Sequence, residues 1–545
     1  MLTGADLIVR ALQESGVEVA FGLPGVHNLA LWRALGDGND TRLVGVRHEQ
    51  TAAYAADGYA RAGGGLGVAL TTTGPGAANT LGAVGEAWAS RSPILVIATD
   101  IPTTVRRPGV WRGALHEATD QAAMFRPVTK QATRATTAES LHAAVTEAAH
   151  AALAPPARPV YLEVPTDLLS AEVGEPDSPR RAPGPPPRPG REQVEQAAAL
   201  IEPSRRPLIW AGGGVIQSGA SEALARFAEA LVAPVITTYA GAGSLPPGHS
   251  CLVAAPPHVP EVGQLWDEAD LVVAVGSDLD GMTTQGWKMP RPQRLVAINV
   301  DAEDASKNYL PDLVLEADAA QGLEALTEAI KPRGGLEALG RRMRELQQAV
   351  DVGVEATDPE AAEFLSTFSA SLPDDTVVVC DMCIPGYWLG GFYRTPGPRK
   401  LLYPLGWGTL GCAFPQALGA ALAGAGPVVS VSGDGGFMYA CGELATIAQE
   451  RIPVTAVVVD DGGYGMLRYD QNRRGDPAIG VDLVTPDFPA LAAACGVRGF
   501  ATEGLGPNFG AALRRHVVLD EPSLIAAEAS LGPPPNVSPR WYRSG

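Results

Sequence analysis

PVVSVSGDGGFMYACGELATIAQERIPVTAVVVDDGGYG, residues 427 to 465, decides the fold. An apolar run ends in Gly433, Asp434, Gly435 and Gly436, a helical pattern follows to about Glu450, and a second apolar run closes on Asp460 and Asp461. That order predicts a right-handed βαβ unit, which sets both acidic ends at the carboxyl edge of one parallel sheet, where such folds bind ligands. Asp434 and Asp461 then converge. A hard cation such as Mg²⁺ takes oxygen ligands and commonly shares them with a phosphate, while glycine amides at a helix start cradle the phosphate itself. A glycine turn followed by two solvent-facing aspartates gives the same string, so this stretch alone leaves both readings open.

Working outward, the same alternation of short apolar runs and helical patterns fills the chain, as in LIW, APVITTY, ADLVVAVGS and RLVAINVD between residues 208 and 301. It predicts an α/β protein of three doubly wound parallel-sheet domains. Two joints divide it. EPDSPRRAPGPPPRPGR, residues 175 to 191, holds too many prolines for a helix or central strand and reads as a semi-rigid linker, and KPRGG at 331 to 335 leads into a charged helix. The expected domains are 1–174, 192–330 and 355–530, with a linker and helix at 331–354 and a tail at 531–545. The first and third segments are candidates for related units.

With 545 residues, a formal charge of −19 and a pI near 4.9, the chain is a poor partner for nucleic acid or an anionic membrane. MLTGADLIVRALQESG reads as an amphipathic helix and not as a secretion signal, and the nearest approach to a membrane span, residues 417 to 431, is broken by Pro427. A cytoplasmic location and a small-molecule partner are expected. The six cysteines are too scattered for a disulfide framework, and the CxxC of Cys380 and Cys383 lacks the neighbours of a zinc or redox site.

Two further strings carry candidate chemistry. In LVGVRHEQTAAYAADGYARAGG, residues 43 to 64, a strand runs into Glu49 at the start of an alanine-rich helix, where a glutamate is ordinarily a helix-end charge. In LGWGTLGCAFPQALGA, residues 405 to 420, Leu410 reads by itself as a core leucine.

Together these segments resemble the thiamine diphosphate enzymes, whose fingerprint is GDG followed after about 25 residues by an Asn-rich turn. The likeness extends along nearly the whole chain: FGLPG at 21 to 25, TTTGPGAAN at 71 to 79, RPVTK at 126 to 130 and PVYLEVPTDLL at 159 to 169 look like the pyrimidine-binding domain of acetolactate synthase relatives. The resemblance implies pyrimidine-binding, central and diphosphate-binding domains in that order. It assigns the metal to Asp434, Asp461 and the Gly463 carbonyl. Asp461 stands where the family usually has Asn. It gives Glu49 the proton exchange with the aminopyrimidine ring. Leu410 becomes the wedge between the two cofactor rings, and the Gly408 carbonyl the acceptor for the ring amino group. Gly433, Gly435, Gly436, Cys383, Ile384 and Tyr464 become further cofactor contacts. Active sites built between two subunits, in a dimer or tetramer, are expected.

GLPGVHNLALWRAL and ALHEATDQ look like the guanidino-oxopentanoate decarboxylase branch, with likeness to benzaldehyde lyase, and place His27 and His116 as candidate proton donors. The implied reaction is Mg²⁺-dependent decarboxylation of a 2-oxo acid, followed by protonation or by carboligation to a second carbonyl compound, so that both lyase and transferase chemistry remain open. A C–C lyase or hydrolase using the same cofactor without decarboxylation, and a non-catalytic cofactor-binding homologue, are the alternatives. AGGGVIQSG at 211 to 219 is a weak dinucleotide signal, and GSDLDGMTTQGWKM at 276 to 289 departs from the flavin pattern of acetolactate synthases, so FAD is a minor expectation.

Overall fold

A computed structural model describes residues 2–36, 40–63, 65–176, 184, 186–404 and 406–534. Most of the proline-rich linker (177–183 and 185) and residues 535–545 of the tail lie outside the described residues.

Valine- and isoleucine-rich runs, buried on both faces in the inner strands and flanked by more exposed edge strands, build three parallel sheets. The first has the strand order Arg42–Gly45, Val19–Gly22, Gly67–Thr71, Ile94–Asp100, Val160–Pro165, Gln131–Arg134. The third runs Leu401–Leu402, Val377–Cys380, Val428–Gly433, Val454–Asp460, Ser523–Glu528, Arg498–Glu503. Numbered within each sheet, both read 2-1-3-4-6-5, so the two units share one topology and one kind of switch point, between the carboxyl ends of their first and third strands. The central sheet has five strands, Val235–Thr237, Pro207–Ala211, Leu271–Val275, Leu295–Asn299 and Leu313–Glu316. Among the described residues no helix is long and apolar enough to cross a membrane.

The first and third units share a hydrophobic core. Helix Glu49–Gly63 crosses helix Ala413–Leu422 with backbones almost touching: a Cβ on Gly58 would lie 1.9 Å from the Gln416 carbonyl oxygen, and one on Gly419 would lie 1.8 Å from that of Ala55. The alanine-rich composition of both helices is what permits this approach. Gln416 Nε2 donates to Asp57 Oδ2 at 2.7 Å, satisfying one buried oxygen at the crossing. The charged helix after KPRGG runs from Leu336 to Thr357, three residues past position 354, and stops where Asp358 caps helix Pro359–Ser371. The start of the tail docks: Trp388 Nε1 donates to the Gly532 carbonyl, and Gly532 N–H to Asp358 Oδ2.

Candidate active site

At the switch point of the third sheet lies a cavity of about 210 Å³. Its walls bring together Cys383, Ile384, Gly408, Leu410, Gly433, Asp434, Gly435, Gly436, Asp461, Gly463 and Tyr464, drawn from four separate segments. Strand Val428–Gly433 delivers Asp434, and strand Val454–Asp460, its parallel neighbour, delivers Asp461. The glycines are needed for contact. A Cβ on Gly435 would meet the Tyr464 ring at 2.6 Å, and one on Gly436 would sit 2.9 Å from Asp381 Oδ2 and 3.2 Å from Leu410 Cδ1. On Gly465 it would lie 2.0 Å from Asp461 Oδ2. Gly465→Ala is therefore expected to displace that carboxylate and weaken Mg²⁺-dependent binding of thiamine diphosphate about tenfold, read by calorimetry.

The donor set fits a divalent cation. Asp434 is 1% exposed, its Oδ1 accepts from the Gly435 N–H at 2.8 Å, and its Oδ2 is buried with no hydrogen-bond partner. An orphaned carboxylate oxygen in such a place is costly unless a cation or donor meets it. Burial, with Asp461 and Asp460 nearby, pushes the Asp434 carboxyl up to about 7, against the Gly435 N–H. Asp461 is raised chiefly by burial, opposed by Arg468. Asp434, Asp461 and the Gly463 carbonyl offer the oxygen donors that a hard divalent cation would take. Among the described residues no cluster of three or more His, Cys, Asp or Glu side chains is arranged to hold a metal ion.

The raised Asp434 pKa has a stability consequence. An unfolded aspartate ionises near 3.9, so between that value and about 7 the metal-free folded protein is increasingly penalised as pH rises. Asp434→Asn is expected to stabilise the metal-free protein by on the order of 2 kcal/mol at pH 8 and by less at pH 5, measured as the shift in thermal midpoint. An equal shift at both values would contradict this assignment.

Glu49, His27 and His116 do not line this cavity. They gather at the carboxyl edge of the first sheet, around the loop of residues 72–79. Glu49 is 8% exposed, and its Oε2 accepts from Asn79 Nδ2 at 2.9 Å. Across that loop the His27 and His116 rings meet edge to face with centroids 5.3 Å apart, and His27 Nδ1 is 2.8 Å from Thr73 Oγ1. Burial and the neighbouring His116 lower the His27 pKa, with Asp100 opposing the shift. His116 has φ 65, and its carbonyl oxygen lies where a Cβ on Gly74 would approach to 2.5 Å, so Gly74, itself at φ 65, admits this turn.

Two residues at the site escaped the reading of the sequence. Asp381, fully buried after strand Val377–Cys380, accepts from the Gly411 N–H at 2.8 Å and from the Met382 N–H at 2.8 Å, tying the Leu410 loop to the sheet. Burial raises its carboxyl to about 6, and these N–H donors oppose the shift. The acid that ends the VVVC run was its signal. Glu443, 1% exposed, accepts from the backbone N–H groups of Arg47 and His48 and so fixes the residues that lead into Glu49. Cys380 and Cys383 are free thiols, both pushed up chiefly by burial. A second cavity, about 260 Å³, lies beside the carboxyl edge of the central sheet and includes Gly213, Gly214 and Asn299.

Three family models match in the order of the domains. The thiamine pyrophosphate enzyme N-terminal TPP binding domain covers residues 2–124, the central domain residues 194–326 and the C-terminal TPP binding domain residues 383–527. The chain is 36% identical over 510 residues to a Pseudomonas aeruginosa protein named "Probable 2-ketoarginine decarboxylase", covering 91% of this chain and 89% of that one. To a "Probable acetolactate synthase large subunit" of Methanocaldococcus jannaschii it is 32% identical over 554 residues, covering 96% and 91%. To an "Acetolactate synthase" of Mycobacterium avium it is 30% identical over 523 residues, covering 92% and 83%.

Proposed function

We propose, from the premise that this chain belongs to the thiamine pyrophosphate enzyme family, that it decarboxylates a 2-oxo acid with thiamine diphosphate and Mg²⁺, the resulting fragment being protonated or joined to a second carbonyl compound. The observation that carries this reading is the cavity in which the partnerless Asp434 oxygen and Asp461 lie among glycines at a topological switch point.

In this reading Asp434, Asp461 and the Gly463 carbonyl would hold the metal ion, whose charge would serve to anchor the diphosphate. Thiamine diphosphate, when bound, would supply the carbon nucleophile and electron sink that decarboxylation of a 2-oxo acid needs. Leu410, half-buried and fixed through Asp381, fills the space between the cofactor rings, and Gly408 accepts from the ring amino group. Cys383, Ile384 and Tyr464 close the cavity walls. Glu49 moves the proton at the pyrimidine nitrogen, and His27 and His116 exchange protons with the substrate oxygen.

The absence of Glu49 from the residues that line the cavity supports a site completed by a second copy of the chain, with a homodimer as the smallest working unit and a tetramer as its doubled form. Exposed apolar side chains flank both halves, Val26 and Leu115 beside His27 and His116, Met438 and Leu467 beside the cavity.

The test is carbon dioxide release from a panel of 2-oxo acids, including one with a guanidino side chain because of the relative named for 2-ketoarginine. Release from at least one member is expected, with an aldehyde or hydroxyketone identified by mass. Release from none, with deuterium exchange at the cofactor's reactive carbon intact, would favour a C–C lyase or hydrolase. Loss of exchange as well would leave a non-catalytic homologue.

A further inference from the structure

Asp461 adds a negative charge to a turn that already lies beside Asp434 and Asp460, and all three belong to the ends of neighbouring strands. Helix Gly465–Arg474, which follows the turn, buries none of its side chains, yet its fourth residue reaches back. Arg468 Nη1 donates to the Asp461 carbonyl at 3.1 Å, Nη2 to the Gly462 carbonyl at 2.9 Å, and Nε to Asp482 Oδ1 at 2.8 Å. This planar fork holds the guanidinium in one place, which a flexible ammonium does not do. The turn is built around it: a Cβ on Gly463 would lie 2.6 Å from Nη2, and the backbone is clamped on its other side by Tyr464 N–H to the Val481 carbonyl and Leu483 N–H to the Gly462 carbonyl.

We propose that Arg468 is a positioning residue whose fixed charge makes an aspartate serviceable at position 461, offsetting the added acid so that the metal and diphosphate are still held. This rests on the assignment of the cavity to thiamine diphosphate and Mg²⁺. Arg468 touches neither group. It acts through the turn.

Calorimetric titration of the purified full-length protein with thiamine diphosphate, with and without Mg²⁺, reads the effect in a double-mutant cycle. Arg468→Met is expected to weaken Mg²⁺-dependent binding about tenfold in the parent and under about threefold in Asp461→Asn. Arg468→Lys, which keeps the charge but not the three-pronged anchor, is expected to give an affinity between those of the parent and Arg468→Met. The same loss in both backgrounds, which collapse of the turn alone would produce, overturns the proposal, as does no loss in either. A circular dichroism spectrum like the parent's and a single cooperative thermal transition without ligand establish that the variants fold. If Asp434→Ala binds the cofactor as the parent does, the cavity assignment itself fails. If Asp434→Ala loses binding while Arg468→Met is silent, only the role of Arg468 falls.

Discussion

Glu49→Gln is expected to slow hydrogen–deuterium exchange at the cofactor's reactive carbon by about 10²–10⁴-fold while leaving thiamine diphosphate affinity nearly unchanged. Gln keeps the shape and one acceptor oxygen, so the hydrogen bond from Asn79 survives and the loop of residues 72–79 stays in place. It cannot exchange a proton with the pyrimidine nitrogen. Affinity is spared because the cavity proposed for the diphosphate contains none of the residues around Glu49. Quenched-flow exchange read by NMR gives the rate, and calorimetry the affinity. A variant that exchanges as fast as the parent would remove Glu49 from the mechanism.

Asp434→Ala carries the second large effect, a loss of roughly a hundredfold in Mg²⁺-dependent thiamine diphosphate binding, about 3 kcal/mol. Alanine takes away the partnerless buried oxygen and leaves Asp461 as the sole acidic ligand of the proposed set. Titration with and without Mg²⁺ should therefore give nearly equal affinities in the variant and widely different ones in the parent. Equal dependence on Mg²⁺ in both would contradict the site. The two variants also test whether the active site is shared between two chains. In a mixed dimer, the Glu49 of the Asp434→Ala chain and the Asp434 of the Glu49→Gln chain complete one intact site. Random reassortment then restores about one quarter of parental activity from two inactive proteins. No recovery on mixing would place both residues in a site made by one chain.

Much of this was legible in residue order. GDGG after an apolar run fixed a strand, a turn and an acid at a sheet edge, because a parallel strand buried on both faces needs an unbroken apolar run and its exit needs glycine. The second run ending in Asp460 and Asp461 placed the other acid by the same rule, and βαβ handedness put the two side by side. Asp381 obeys that rule too, but its partner is the Gly411 N–H, thirty residues away in a loop whose path no local pattern reveals. Glu443 was hidden for a like reason: within its own segment it is one more helix-start acid, and its task, holding the N–H groups of Arg47 and His48, exists only because the first and third units pack together.

By itself, then, the sequence determined the parallel α/β sheets, the two acidic strand ends of the third unit and the Glu49 helix start, since each depends on periodicity and neighbours within about forty residues. Tertiary structure alone decided the common 2-1-3-4-6-5 order of the outer units, the close crossing at Gly58 and Gly419, and the absence of Glu49 from the lining of the Asp434 cavity. Those features come from long-range packing of surfaces, where a missing Cβ or a single buried carboxylate matters and the local pattern of apolar and polar residues says nothing.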